Sequence, residues 1–158
     1  MNPIERIMRA APVIPVLVIE YANQARPLAE ALVGGGLKVL EVTLRTSAAL
    51  DAIREMKQVP FLPGVATASD IMRGLDLGLE HFKFFPAAAS GGLPALRALA
   101  APFGGVKFCP TGGISAERAP EWLAHPSVLC VGGTWITPRG ADMAQVRALA
   151  EQAATLAR

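Results

Sequence analysis

The chain has 158 residues, of which 52% are hydrophobic and 18% are charged, and its formal net charge is +2. This composition excludes a disordered chain and fits one domain with a substantial core. The near-neutral charge and the 6% of aromatic residues give no support for nucleic-acid binding. No apolar run reaches the roughly 18 residues of a membrane span, and the start lacks the layout of a secretion signal. We therefore expect a cytoplasmic protein without a membrane partner.

Predicted strands and predicted helices alternate along the whole sequence. The predicted strands are apolar runs of the type that parallel sheets bury on both faces, and they span 13–19, 38–43, 59–63, 81–85, 106–109 and 128–131. A predicted helix follows each strand: 22–33, a helix beginning near Thr46 or Ser47, 69–77, 93–101, 116–124 and 142–156. Ser69 is the predicted cap of the third helix, and the predicted inner face of the last helix consists of Met143, Val146, Leu149, Ala153 and Leu156. This alternation implies parallel strands with right-handed crossovers. We predict a single α/β domain over 1–158 with six βα units, either a barrel or an open doubly wound sheet.

Lys83 is the one charged residue in the apolar segment 81–86, HFKFFP. Lysine is seldom buried unless another group pairs with it or uses it. A desolvated ammonium loses its proton more readily, and the free amine is a nucleophile that forms a Schiff base with a ketone. The alternative is that Lys83 extends its charged end to water from a strand end.

Chemistry in parallel α/β folds gathers where the strands end. The second predicted strand carries Glu41 and leads to Arg45. A carboxylate that faces an apolar interior can transfer protons, and an arginine can bind a substrate carboxylate through two hydrogen bonds. The alternatives are an ion pair of Glu41 with Arg45 or Lys38, and a solvated surface position for Arg45.

Two diglycine turns, 112–113 and 132–133, follow the last two predicted strands. Glycine lets backbone N–H groups converge on an anion, and a following helix adds positive potential. Barrels commonly build a phosphate site after their last two strands. Thr111 and Thr134 add hydroxyl groups beside these turns, although tight turns need glycine for conformational reasons alone.

The cysteines and histidines are too far apart in sequence to suggest a metal centre. Cys109 and Cys130 each end an apolar run, and neither has a second cysteine or a histidine at the spacing of metal ligands. His81 and His125 are likewise isolated from each other. We predict that the cysteines are buried apolar side chains and that no metal site is present.

Five sequence stretches resemble the 2-keto-3-deoxy-6-phosphogluconate (KDPG) and 4-hydroxy-2-oxoglutarate aldolase family: VIPV at 13–16, LEVTLRT at 40–46, FKFFP at 82–86, FCPTGGI at 108–114 and GGTW at 132–135. The resemblance covers nearly the whole chain. It implies a class I aldolase that cleaves KDPG to pyruvate and glyceraldehyde 3-phosphate through a lysine Schiff base, or acts on a related 4-hydroxy-2-oxo acid. It also implies a cytoplasmic homo-oligomer, typically a trimer, without metal or other cofactor.

The same resemblance implies a role for each candidate residue. Lys83 would be the Schiff-base lysine, and Glu41 would be the general acid and base. The substrate-binding residues would be Arg45, Thr111, Phe85 and Pro63. The phosphate-binding residues would be Gly112, Gly113, Gly133 and Thr134.

The chain departs from the family in its number of βα units. The family barrel has eight units, whereas here residues 56–57 lead directly into 58–64, which resembles the family's fifth strand. Two internal units that contribute to the family's pyruvate pocket are therefore missing. We expect a flattened six-stranded barrel; the alternative is a sheet that stays open between strands two and three and exposes its edges to another chain. A smaller departure is Ala88, where relatives often have glutamate.

The missing pocket walls leave two other functions open. One is a phosphate-ligand-binding or assembly protein that no longer cleaves substrate, since misplacement by an ångström costs about a hundredfold in rate. The other is a 2-oxo acid decarboxylase that uses the same lysine.

Overall fold

The computed structural model describes residues 3–42 and 62–156. The helices in these residues are α1 Pro3–Ala10, α2 Ala22–Gly34, α3 Ala68–Asp76, α4 Gly92–Ala100, α5 Ala119–Leu123 and α6 Met143–Ala154. The strands are β1 Val13–Leu17, β2 Glu41–Val42, β3 Gly64–Val65, β4 His81–Phe84, β5 Lys107–Pro110 and β6 Val131–Gly133. The predicted α/β class with parallel strands is confirmed. The helix predicted to begin near Thr46 or Ser47 lies outside the described residues.

The strand order is that of a barrel and not of a doubly wound sheet. One ladder has the order β2-β1-β6 and another the order β3-β4-β5, and every pair is parallel. The bridge between Thr111 and Gly132 joins these two ladders, so that the described strands follow one another as β2-β1-β6-β5-β4-β3. No ladder joins β2 to β3 within the described residues. Closure between β2 and β3 stays a prediction, because residues 43–61, which connect these two strands, lie outside the described residues.

The core has two parts on opposite faces of the strands. The larger part lies between strands and helices and includes the fully buried Phe82, Phe108 and Trp122; the two phenylalanine rings pack 6.5 Å apart. The smaller part consists of Met8, Ile14, Cys109, Leu129 and Cys130. This smaller cluster lies on the inner face of the described strands. The predicted burial of both cysteines is confirmed.

Helix α1 covers the amino-terminal end of the strands, and the sequence analysis did not predict it. Met8 is fully buried in the inner cluster, and Ile4 packs against that cluster. The signals in the sequence were Pro3 at the first helical position and the spacing of Glu5 and Arg9, whose side chains pair at 2.9 Å.

The described part of the third strand begins after Pro63. The sequence indicated a strand at 59–63, of which 59–61 lie outside the described residues; the ladder spans Gly64–Val65, with Gly64 opposite Lys83. Pro63 has no N–H to donate to a ladder. Its carbonyl oxygen nevertheless accepts a 2.8 Å hydrogen bond from the Lys83 N–H, so Pro63 marks the point where pairing begins.

Two helix details also differ from the prediction. Helix α3 is capped by Thr67 and not by Ser69: the Thr67 hydroxyl accepts from the N–H of Asp70 at 3.2 Å, and the Asp70 carboxylate accepts from the Thr67 N–H at 3.0 Å. This reciprocal pair satisfies two N–H groups, which Ser69 inside the helix cannot do. In α6, Met143 is exposed and does not lie on the inner face, because it occupies the first turn beside the Asp142 cap.

His81 is a buried polar residue on the first position of β4, beneath α1. Only 6% of its surface is exposed, and neither ring nitrogen has a hydrogen-bond partner in the described residues. The Glu5 carboxylate lies 4.0 Å from His81 Nε2. Burial lowers the pKa of His81, and the negative charges of Glu5 and Glu80 only partly oppose this effect. The folded protein therefore holds His81 neutral.

We expect the free energy of unfolding to fall as the pH drops from about 7 to 5, because the unfolded state binds a proton at His81 more tightly than the folded state does. His81→Leu should flatten this part of the profile, measured by urea unfolding at each pH. His125→Gln serves as a comparison, because burial also lowers the pKa of His125. This variant should remove only the part of the pH dependence of the unfolding free energy that His125 contributes. An unchanged slope in His81→Leu would contradict the prediction.

Candidate active site

Lys83 points into the barrel because of its place in β4. Its neighbours Phe82 and Phe84 are fully buried in the outer part of the core. Successive side chains of a strand face opposite ways, so Lys83 faces inward. Cys109 of β5 stands opposite it in the register, and Cys109 belongs to the inner cluster. The Lys83 side chain is 19% exposed, which places the amine above the inner cluster and within reach of solvent.

Glu41 is the direct partner of the lysine. Lys83 Nζ donates a hydrogen bond to Glu41 Oε1, and the Glu41 side chain is 26% exposed. Glu41 begins β2 and pairs in register with Val16 of β1. Because β2 and β4 are not neighbouring strands, the contact crosses the interior of the barrel. The carboxylate is therefore placed to exchange a proton with the amine.

Phe85 lies on the other side of the amine. Lys83 Nζ is 5.1 Å from the centre of its ring, within the range of a cation–π contact. The ring also limits space at the first diglycine turn, since a Cβ on Gly112 would lie 3.3 Å from it. The Pro63 carbonyl oxygen accepts a hydrogen bond from the backbone N–H of Lys83, which places Pro63 beside β4. Arg45 lies outside the described residues.

Thr111 is a buried polar residue directly after β5. It is 4% exposed, and its hydroxyl lies 3.5 Å from the carbonyl oxygen of Cys109, to which it donates. Its side chain packs over Gly132, where a Cβ would approach the hydroxyl oxygen to 2.2 Å. Thr111 thus occupies the seam between β5 and β6.

The first diglycine turn has the backbone conformation that glycine favours. Gly112 and Gly113 have φ angles of 102° and 72°. The carbonyls of Thr111 and Gly112 accept hydrogen bonds of 2.8 and 3.0 Å from the N–H groups of Ala87 and Ala88. These bonds attach the turn to the segment that follows Lys83. Within the described residues, the N–H groups of Gly113 and Ile114 donate to no acceptor.

Packing explains the second diglycine pair. Gly132 and Gly133 have no left-handed backbone angle. A Cβ on Gly132 would collide with Thr111, and one on Gly133 would lie 1.8 Å from the ring of Trp135. The sequence pattern predicted anion binding near this pair, with Gly133 as a phosphate-binding residue by family resemblance, and it does not reveal these steric contacts. The bridge from Thr111 to Gly132 still brings the two turns side by side.

Thr134 follows β6, is exposed, and lines a cavity of about 670 Å³ between the end of β1, the start of α2 and the loop 134–141. Lys83 and Glu41 are not among the residues that line it. Two charged lining residues, Glu20 and Arg139, were missed by the sequence analysis. Glu20 could have been found, because the strand-end rule applied to β1 leads directly to it.

A family model described as KDPG and KHG aldolase matches residues 4–60 and 55–149. The match thus falls into two segments that meet at 55–60, where the sequence analysis placed the missing units. A 2-dehydro-3-deoxy-phosphogluconate aldolase of Zymomonas mobilis is 47% identical over 204 positions, covering 100% of this chain and 98% of the relative. These positions exceed the 158 residues of the chain by 46, so the alignment contains gaps in this chain.

Two solved structures agree with this match. The KDPG aldolase of Zymomonas mobilis ZM4 with 3-phosphoglycerate is 46% identical with a TM-score of 0.93, covering 100% of this chain and 98% of that one. The Legionella pneumophila KDPG aldolase, with pyruvate captured as a covalent carbinolamine, is 37% identical with a TM-score of 0.89, covering 98% and 99%. The chain therefore belongs to the KDPG and KHG aldolase family, as a member shortened within the barrel.

Proposed function

We propose that this protein is a class I aldolase that cleaves KDPG to pyruvate and glyceraldehyde 3-phosphate, or cleaves a related 4-hydroxy-2-oxo acid. The observation that carries the proposal is the contact between the Lys83 amine and the Glu41 carboxylate at the carboxyl end of the barrel. The names of the relatives support the substrate, and the Legionella carbinolamine supports a covalent intermediate with pyruvate.

The first half of the reaction forms the Schiff base. Lys83 transfers its ammonium proton to Glu41, and the free amine attacks the C2 keto carbon of the substrate. A carbinolamine results, with a new bond between Lys83 Nζ and C2. Glu41 returns the proton to the C2 hydroxyl group, which leaves as water. The product is an iminium ion whose positive charge faces the ring of Phe85.

The second half breaks the carbon–carbon bond. Glu41 removes the proton of the C4 hydroxyl group, the C3–C4 bond breaks, and its electron pair moves into the iminium to give an enamine. The aldehyde leaves. The enamine takes this proton back from Glu41 at C3, and water hydrolyses the resulting iminium to release pyruvate and regenerate the Lys83 amine.

The phosphate of the substrate is bound, in this proposal, by the turn that follows β5 and by the end of β6. The N–H groups of Gly113 and Ile114 donate to no protein acceptor in the described residues, and Thr134 adds a hydroxyl group. By family resemblance, Arg45 binds the substrate carboxylate. Metal independence, the cytoplasmic location and the homo-oligomeric state are further predictions of that resemblance.

Lys83→Met should abolish trapping of pyruvate by borohydride, because no other amine contacts Glu41 in the described residues. Mass spectrometry should find the adduct on Lys83 in the parent protein, and aldol cleavage should fall by about 10⁴-fold or more in the variant. Lys107→Met is a matched control, since that ammonium bonds the Pro126 carbonyl oxygen at 3.3 Å.

An adduct that persists in Lys83→Met would overturn the assignment of the nucleophile. Absence of any adduct in the parent protein would instead support a binding protein. Trapping without aldehyde release, together with carbon dioxide formation, would support the decarboxylase.

Glu41→Gln should lower kcat by about 10²- to 10⁴-fold, because glutamine keeps the size of the side chain but transfers no proton. The pyruvate adduct should still form, but more slowly, when borohydride is added at successive times after mixing. Glu30→Gln, at an exposed carboxylate on α2, is the control and should leave kcat unchanged. A Glu41→Gln variant with the parent kcat would refute the proton-transfer role.

Gly113→Ala should raise the KM for KDPG about tenfold, because the added Cβ would lie 2.5 Å from that of Ala88 and would strain a left-handed turn. Pyruvate trapping should change little, since pyruvate has no phosphate. Gly104→Ala, which meets no atom within 4 Å, controls for the substitution itself. Equal losses for KDPG and pyruvate would show that the turn does not act on the phosphate.

A further inference from the structure

The cavity beside Thr134 contains one cation and one anion among its lining residues. Arg139 comes from the loop after β6, and Glu20 comes from the segment after β1. The remaining lining residues are neutral. An anion that enters the cavity beside Thr134 is therefore close to the Arg139 guanidinium, which already forms an ion pair with the Glu20 carboxylate.

The loop that carries Arg139 is fixed by two successive turns. The N–H of Thr137 bonds the carbonyl oxygen of Thr134 at 3.2 Å, and the N–H of Ala141 bonds that of Pro138 at 3.1 Å. Gly140 supports the second turn with a φ of 83°. Arg139 is thus attached by a short, folded segment to Thr134, while its side chain stays free to move.

The ion pair between Arg139 and Glu20 is weak. Arg139 Nη2 lies 3.7 Å from Glu20 Oε1, and the two side chains are 97% and 57% exposed. Exposed pairs of this kind contribute little to stability, because solvent screens them and both side chains lose freedom. The guanidinium can therefore leave Glu20 at little cost when a better partner arrives.

We propose that Arg139 is a specificity-determining residue for phosphorylated substrates, and that Glu20 is the partner it gives up when the phosphate binds. The inference rests on the proposed function, because the phosphate is that of the aldolase substrate held near Thr134. A phosphate group carries a charge of about −1.5 to −2 and accepts two parallel hydrogen bonds from one guanidinium. Glu20 carries a single charge and contacts one nitrogen atom.

The exchange makes a non-additive effect diagnostic. Removing the charge of Glu20 frees Arg139 and removes a repulsion, so it should strengthen phosphate binding. In a variant that lacks Arg139, Glu20 no longer competes with the phosphate for the guanidinium. Removing the charge of Glu20 should then change phosphate binding much less. Residues that merely shape the loop would not show this dependence on each other's charge.

The kinetic test compares KDPG with 2-keto-3-deoxygluconate, which is the same molecule without its phosphate. Arg139→Gln should raise the KM for KDPG about three- to tenfold and leave that for 2-keto-3-deoxygluconate unchanged. Glu20→Gln should lower the KM for KDPG about twofold, and the double variant should match Arg139→Gln. Arg26→Gln and Glu30→Gln are matched controls, because they alter an exposed ion pair on α2 that does not line the cavity.

A binding test keeps this inference separate from catalysis. Calorimetry should show that Arg139→Gln weakens binding of 3-phosphoglycerate about three- to tenfold and reduces its dependence on salt, with no effect on glycerate. Equal affinities in parent and variant, or no binding by the parent protein, would overturn the role of Arg139 even if aldol cleavage is found. A loss of affinity in a protein that cleaves no substrate would support Arg139 and reject the aldolase.

Discussion

Lys83 and Glu41 meet although their strands are far apart in the sheet order. In a flat sheet with the order β2-β1-β6-β5-β4-β3, four strand spacings of about 4.8 Å would separate β2 from β4, about 19 Å in all. A lysine and a glutamate cannot span that distance together. Their hydrogen bond therefore requires the sheet to curl until its ends approach each other. The candidate active site can therefore assemble only if the sheet is curved as a barrel is.

The narrow interior of the barrel limits access to the Lys83 amine to one side. Met8 of α1 and Cys109 fill the inner face of the strands below Lys83, and both are almost fully buried. The amine and its carboxylate partner are about one-fifth to one-quarter exposed, which leaves the carboxyl end of the barrel as the open side. An interior that holds one small apolar cluster leaves no room for a ligand beneath the lysine. Substrate and protein thus meet at the rim, where the diglycine turn also lies.

Two features could be predicted from the sequence. The alternation of strands and helices predicts parallel strands, and the place of Lys83 within an apolar strand predicts a position near the interior of the barrel. The apolar run with one lysine and the carboxylate in strand two were direct signals. Features that depend on contacts between distant segments could not be predicted in this way. The steric need for Gly132, which Thr111 imposes from the neighbouring strand, and the pairing of Glu20 with Arg139 both arise only when the barrel curls. The start of the β3 ladder at Gly64 has a local cause, since Pro63 lacks the N–H that a ladder requires.

The candidate site lies mostly on one side of the break in the family match. Lys83, Phe85, the turn at 112–113 and Thr134 all follow the break in the family match at 55–60, and two hydrogen bonds attach that turn to the segment just after Lys83. The proposed nucleophile and the proposed phosphate site are therefore connected through β4, β5 and β6, which all follow the break. Glu41 is the described catalytic candidate on the other side of the break. Removing two βα units could have displaced β2 by two strand positions, but the contact with Lys83 shows that β2 still faces β4 across the interior.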